Sequence, residues 1–333
     1  MDISLSLAFL FFLISAALVV VSGIFLAKSG DVISKKSGLG QVWVGSLLVA
    51  GATSLPELVT NVSAVLIDSP KLAGGNIFGA NMLNMATFSI LVLIFGGSKI
   101  FINLLRLHVW VASVAFFMTL IAVLLTVIGS DFKILFISPA GVIIIILYGF
   151  SSRFLYQRSL SDASSNISDE KQDHVESISK HWILFFISAI VIFVSAPILA
   201  FTSEQIAEIT GISEGFMGVL AVAIVTTLPE FTSAVTSFKI GSPDLGVSAL
   251  FGSNAFNIAA LGVADLFYTK GSLFASLDVS HLAAGIFAII LIGLCLLQLY
   301  QKTKLRLFSV STPSPIMVIF IYILGLFVVF QLG

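Results

Sequence analysis

Cysteine occurs once in the 333 residues, at Cys295 in an apolar stretch. A lone Cys there reads as a small hydrophobe, so neither a disulfide framework nor a cysteine-zinc cluster is available. Charge is scarce: Asp, Glu, Lys and Arg make up 10% of the chain, against about 25% in soluble domains. Net charge is −1, which gives no basic footprint for nucleic acid. Histidine occurs four times, at His108, His174, His181 and His281. All four are expected at helix ends or in a loop, interfacial or solvated. With no HExxH motif and no nucleophile–base pair, an intramembrane enzyme is disfavoured. Between Lys36 and Lys71 there is no lysine or arginine at all.

Apolar residues fill the space left by charge. They make up 58% of the chain, and mean hydropathy is +1.12. A spanning helix needs about 20 mostly apolar residues. Ten such segments can be placed, near 4–26, 41–67, 72–96, 108–128, 134–156, 181–203, 214–240, 244–267, 279–299 and 314–332. The first has no basic n-region and is expected to be a membrane helix rather than a cleaved signal. Alternate loops hold 13 of the 16 basic residues, and the opposite side holds only Lys71, Lys133 and Lys270. The positive-inside rule then places both termini outside. The acidic, polar 158–180 loop becomes a cytoplasmic linker between halves 1–157 and 181–333. The expected class is an all-α polytopic protein of a plasma or inner membrane, with the lipid bilayer as its one evident partner. No nucleic acid or obligatory protein partner is evident.

The chain repeats itself. A shift of 173 residues aligns 45–84 with 218–257 without a gap, giving 17 identities in 40 positions. They include Thr53/Thr226, Pro56/Pro229, Glu57/Glu230, Gly79/Gly252, Asn81/Asn254 and Asn84/Asn257. An odd number of spans per half turns the second half over, which makes the halves inverted repeats. Such repeats bind their substrates near the midplane, where interrupted helices meet. "TSLPE" at 53–57 and "TTLPE" at 226–230 are the matching interruptions.

A carboxylate at the bilayer centre costs about 2.5–3.5 kcal/mol on insertion scales, and no basic residue in the spanning cores offsets Glu57 or Glu230. The remaining partners are a proton, the other carboxylate or a bound cation. The surrounding groups are all oxygen donors: Thr53 and Thr226 beside the prolines, amides of Asn84 and Asn257, and the Ser253 hydroxyl. Pro56 and Pro229 cannot donate an N–H, so backbone oxygens in the preceding turn, near Ala50 to Thr53 in the first half, are expected to be released. A hard cation fits that set, and zinc, copper and nickel do not. Calcium takes 6–8 oxygens, while magnesium sheds water reluctantly. Asp68, Asp131, Asp244, Asp265 and Asp278 are expected at loops or helix ends, solvated.

"ATSLPE…GANMLN" and "VTTLPE…GSNAFN" resemble the two α-repeats of the calcium/cation antiporter superfamily, most closely its sodium/calcium exchanger branch and prokaryotic members. The resemblance implies ten helices in two inverted five-helix repeats, with calcium leaving the cytosol as sodium enters. It also implies sliding of the first and sixth helices. By motif position, Glu57 and Glu230 would ligate both ions, and Thr53 and Thr226 would offer carbonyl and hydroxyl oxygens. Ala50 and Ala223 would give backbone carbonyls, Ser54 and Thr227 would line the site, and Asn84, Ser253 and Asn257 would complete it. No resident cofactor is implied, since calcium and sodium are the transported ions. The chain departs from the pattern at Ala52 and Val225, where a glycine is usual, and at Ala80, which lacks a hydroxyl expected at one sodium position. Asn257 stands where many relatives carry aspartate. Proton/calcium exchange and potassium-linked exchange remain open beside the sodium reading. A channel would need an open, fixed pore lining rather than paired broken helices.

Overall fold

The structure is a computed structural model that describes residues 5–37, 40–95, 107–133, 136, 138–165, 177–210, 218–301 and 314–333. Among these residues the chain is helical, with loops and one short 3₁₀ turn at Phe274–Ser276. Among the described residues, nine helical stretches are long and apolar enough to cross a membrane, and 218–239 is not one of them. In chain order the helices begin with α1, Leu5–Ser37, and a second span made of α2 (residues 41–53) and α3 (Leu55–Leu66). Next come α4 (Pro70–Phe95), α5 (Leu107–Ile128), α6 (Pro139–Ser165) and α7 (Ile178–Thr210). The expected seventh span is again two pieces, α8 over residues 218–226 and α9 over Leu228–Lys239. Residues 211–217, at its start, lie outside the described residues. α10 (Pro243–Phe267), α11 (Val279–Gln301) and α12 (Pro315–Leu332) complete the chain. Three helices outrun the sequence expectation, among them α7, which runs Ile178–Thr210 against the expected 181–203. α1 continues to Ser37, so Lys28, Lys35 and Lys36 are helical rather than in a loop, and α6 runs to Ser165, into the expected linker. Residues 166–176 of that linker, and the loops bearing Lys99, Arg106, Lys302, Lys304 and Arg306, lie outside the described residues.

α4 and α10 form the centre. Most side chains on both are buried, including Phe78, Phe88 and Phe251, and Phe88 meets Phe251 edge to face at 5.4 Å. Their sequences are rich in Gly, Ala, Ser and Asn, as membrane helix contacts require, because small residues let backbones approach and lipid gives no hydrophobic drive between helices. Among the glycines in close contact, one in each half meets the backbone of the other half's broken helix in the same way. A Cβ on Gly79 would lie 2.6 Å from Val219 Cα, and one on Gly252 would lie 2.6 Å from Ser46 Cα. Residue 46 shifted by 173 is 219, and 79 shifted by 173 is 252, so each crossing is the image of the other.

The outer helices repeat this exchange. α1 and α7 pack along each other, α1 also against α9 and α7 against α3, so each half's first helix lies on the other half's broken helix. Outward faces of α1, α7 and α12 show large apolar residues, among them Leu13, Ile190 and Phe320. Such a surface belongs in lipid, where helices satisfy their own backbone groups.

Three polar expectations are corrected. Asp265 is fully buried rather than solvated: its carboxylate accepts the backbone N–H groups of Ser138 at 2.6 Å and Leu273 at 2.7 Å. Lys133 donates to the Asp265 carbonyl at 3.0 Å and to the Tyr268 carbonyl, closing the end of α10. His108 and His281 are likewise fully buried. His108 Nε2 lies 2.6 Å from Asp244 Oδ1, and His281 Nε2 donates to the Lys71 carbonyl at 2.7 Å. These contacts too are related by 173 residues, 108 to 281 and 71 to 244, and each joins one half to the other. Asp278 stands 2.6 Å from His281 Nδ1. Burial opposes ionisation of its carboxyl, but hydrogen bonds from Ser280, His281 and Lys71 outweigh it and hold the carboxyl well below the usual carboxylate range.

Asp265→Ala should leave two buried N–H groups without acceptors, costing about 1–3 kcal/mol each. A clear fall in melting temperature of the detergent-solubilised protein is expected, with ion binding retained by the folded fraction.

Candidate cation site

Each motif sits where a helix breaks. In α2 the stretch Val44–Val49 is wound as a π-helix, and the Ala50 amide reaches back to the Gly45 carbonyl. Gly218–Val222 is wound in the same way in α8. Single π turns inside helices recur at functional sites. The hinge residues then leave helical geometry together, Ser54 at φ −87°, ψ 10° and Thr227 at φ −83°, ψ 3°. Pro56 and Pro229 follow in the first turn of α3 and α9, where a missing N–H costs nothing. Their clash and missing donor fall on the carbonyls four residues back, those of Ala52 and Val225. The Ala50 and Ala223 carbonyls each accept a hinge amide, Ser54 N at 2.9 Å and Thr227 N at 3.0 Å, and each also accepts a threonine hydroxyl.

The break places Glu57 and Glu230 in the first turn of a new helix. Helix N-termini favour negative charge. Both are sealed from solvent, at 0% and 1% exposure. The two carboxylates are near enough to feel each other's charge. No basic group pairs with either among the described residues.

The two carboxylates are not equally supplied with hydrogen bonds. Glu230 Oε1 accepts from Ser54 Oγ at 2.7 Å and Ser253 Oγ at 3.3 Å, and the two hydroxyls lie 2.9 Å apart. Glu230 Oε2 and both oxygens of Glu57 are buried without a hydrogen-bond partner. The difference traces to residue identity. The image of Ser253 is Ala80, which has no hydroxyl, and the Thr227 hydroxyl turns back to the Ala223 carbonyl at 2.5 Å. Thr53 Oγ1 donates to the Val49 carbonyl at 3.0 Å and the Ala50 carbonyl at 3.2 Å. A bare, buried carboxylate oxygen is a costly group that a cation would satisfy.

Asn84 and Asn257 reach across the centre. Asn84 Nδ2 donates to Asn254 Oδ1 at 2.9 Å, and its image Asn257 Nδ2 donates to Asn81 Oδ1 at 3.0 Å. Asn257 Oδ1 stays buried without a partner. The structure thus brings Ser54 and Ser253 to Glu230 and sets Thr53, Thr226 and Thr227 at the two hinges, while Asn84 and Asn257 bond to Asn254 and Asn81 between α4 and α10. It adds residues that motif reasoning did not assign to the site: Asn81 and Asn254, visible as repeat identities, and Asn61 and Asn76, which carry no repeat signal. α1 closes over this region, since a Cβ on Gly23 would lie 3.1 Å from both the Cα and the carbonyl oxygen of Pro229. No group of three or more His, Cys, Asp or Glu exists among the described residues, so any cation held here has a mixed shell of carboxylate, hydroxyl, amide and carbonyl oxygens, the donor types calcium takes.

Gly79→Ala and Gly252→Ala should each force apart the helices that carry the site and abolish ion binding. Gly149→Ala, where an added Cβ meets nothing within 4 Å, should leave binding unchanged. Equilibrium binding of radioactive calcium and sodium to the purified variants checks this.

Comparison with known proteins agrees with this architecture. The sodium-calcium exchanger NCX_Mj, in a structure soaked with Na⁺ and Sr²⁺, superposes with a TM-score of 0.65, covering 97% of this chain and 98% of that one at 20% identity. The inner membrane protein YrbG of Escherichia coli is 24% identical over 254 residues, 74% of this chain and 75% of that protein. The sodium/calcium exchanger MaX1 of Methanosarcina acetivorans is 23% identical over 296 residues, 78% of this chain and 83% of that protein. The sequence profile of the sodium/calcium exchanger protein family matches residues 7–157 and 180–332. The chain is therefore an integral membrane member of the sodium/calcium exchanger family, a family of transporters.

Proposed function

We propose that this chain is a secondary antiporter exchanging calcium for sodium by alternating access, with both ions held between Glu57 and Glu230. One observation carries the reading: two fully buried glutamates at paired helix breaks, ringed by neutral oxygen donors, with no basic residue paired to them among the described residues. The names of the similar exchangers support the choice of ions. Thr53, Thr226, Ser54, Thr227, Asn84, Ser253 and Asn257 supply side-chain oxygens, and Ala50 and Ala223 supply carbonyls. Residues 1–157 and 181–333 act as the two halves, joined by a cytoplasmic linker at 158–180, with both termini outside and calcium leaving the cytosol.

The coupling follows from electrostatics. Calcium and sodium compete for overlapping oxygens, and one divalent ion balances two carboxylates. An empty site carried through the closed state would hold two unpaired charges in a dry interior, a penalty of several kcal/mol per ion. Access therefore changes only when one ion set or the other neutralises Glu57 and Glu230. Gly23, close over Pro229, puts α1 where sliding would open one side of the site.

The test is radioactive calcium uptake into liposomes driven by an outward sodium gradient. Glu57→Gln and Glu230→Gln should each reduce uptake by more than about 100-fold, beyond the 10–100-fold typical of outer-shell losses. Uptake driven by a pH gradient alone would move the protein to proton coupling, and a strict requirement for potassium would move it to potassium-linked exchange. No uptake under any gradient would remove calcium as the substrate.

A further inference from the structure

The two halves of the site differ at one buried pair that no motif contains. Asn61 lies one turn beyond Glu57 on the same face of α3. Asn76, on α4, donates from Nδ2 to Asn61 Oδ1 at 2.9 Å and accepts on Oδ1 from Thr226 Oγ1 at 3.0 Å. Both asparagines are fully buried. Shifted by 173 residues, the same positions are Ala234 and Ala249. The two amides are present together in one half and absent together in the other, which marks them as a unit. Packing does not account for them, because alanines fill the equivalent places. Asn61 Nδ2 is also left buried without a partner, a cost that a packing role does not repay.

The consequence falls on Thr226. A threonine hydroxyl has one proton and two lone pairs, and only the lone pairs can hold a cation. Thr226 sends its proton across to the other half, to Asn76, so its lone pairs are left for a cation held beside the Glu57 carboxylate it faces. Thr53, which faces Glu230, has no such acceptor. It returns its proton to the Val49 and Ala50 carbonyls of its own helix, occupying backbone oxygen beside the site.

We propose that Asn76, fixed by Asn61, is a positioning residue for cation binding that acts through the Thr226 hydroxyl on one half-site only. It makes the Glu57–Thr226 side the tighter of the two for a hard cation. This rests on the reading of Glu57 and Glu230 as cation ligands.

The experiment is equilibrium binding of radioactive calcium to the purified full-length chain in sodium-free detergent, with sodium competition and melting temperature measured on the same samples. Outer-shell partners of metal ligands typically matter 10–100-fold, so Asn76→Ala should weaken calcium binding by about tenfold or more. Thr226→Val should do the same, and the double variant should be no weaker than either alone, because both remove one interaction. Thr53→Val, in the other half, should multiply with Asn76→Ala. Should Asn76→Ala not fold, Asn61→Ala replaces it in the same cycle, with a smaller loss and the same non-additivity. Unchanged affinity in Asn76→Ala, or multiplying losses with Thr226→Val, would overturn the proposal while leaving the exchanger reading intact. Absence of calcium binding by the wild-type chain would overturn that reading and this proposal with it.

Discussion

Two carboxylates share the interior of this molecule with no lysine or arginine paired to them among the described residues, and much of the structure answers to that constraint. In low dielectric a lone carboxylate is expensive and a second like charge beside it more so. The chain does not bury the pair among apolar groups. It breaks two helices so that each glutamate lies in a first turn, and it surrounds them with hydroxyls and amides. Three of the four carboxylate oxygens still lack a hydrogen bond. A site finished to that degree and no further is suited to something that arrives and leaves.

The glycines serve the same end. Gly79 and Gly252, with Gly45 on α2, let α4 and α10 come close to α8 and α2. The crossing distances are equal in the two halves, so the backbone scaffold is close to symmetric. The side chains are not: Ser54 and Ser253 serve Glu230, while their images Thr227 and Ala80 leave Glu57 bare. The scaffold thus sets where the charges lie, and a few hydroxyls decide how each is solvated by protein.

Much of this was legible in the sequence because the repeat exposes it. Pro56/Pro229 and Glu57/Glu230 are polar or constrained residues in an apolar background, where chance identity is rare. Helix positions followed from apolar runs, although α1 and α6 extend beyond theirs because polar residues at a membrane edge can stay helical. The polar core beyond the motif was not legible. His108 and His281 obey the same 173-residue spacing, yet they lie outside the aligned block, and their partners come from the opposite half. Asp265 looked solvated at a helix end, and only the tertiary approach of Ser138 and Leu273 explains its burial. Asn61 and Asn76 gave no signal, since a residue present in one copy only is invisible to a search for identities.

The exchange of partners between halves has one more consequence. Residues 46 and 219, 79 and 252, 71 and 244, and 108 and 281 trade places under one operation that also trades the two faces of the membrane. Under the alternating access proposed above, an arrangement that opens the site to one face would have a counterpart, built from the same kinds of contact, that opens it to the other. Were the halves identical, the two states would be degenerate. The energy gap between them is written in the few positions where the copies disagree, such as Ala80 against Ser253 and Asn76 against Ala249. Sidedness in this protein is a property of its imperfections as a repeat.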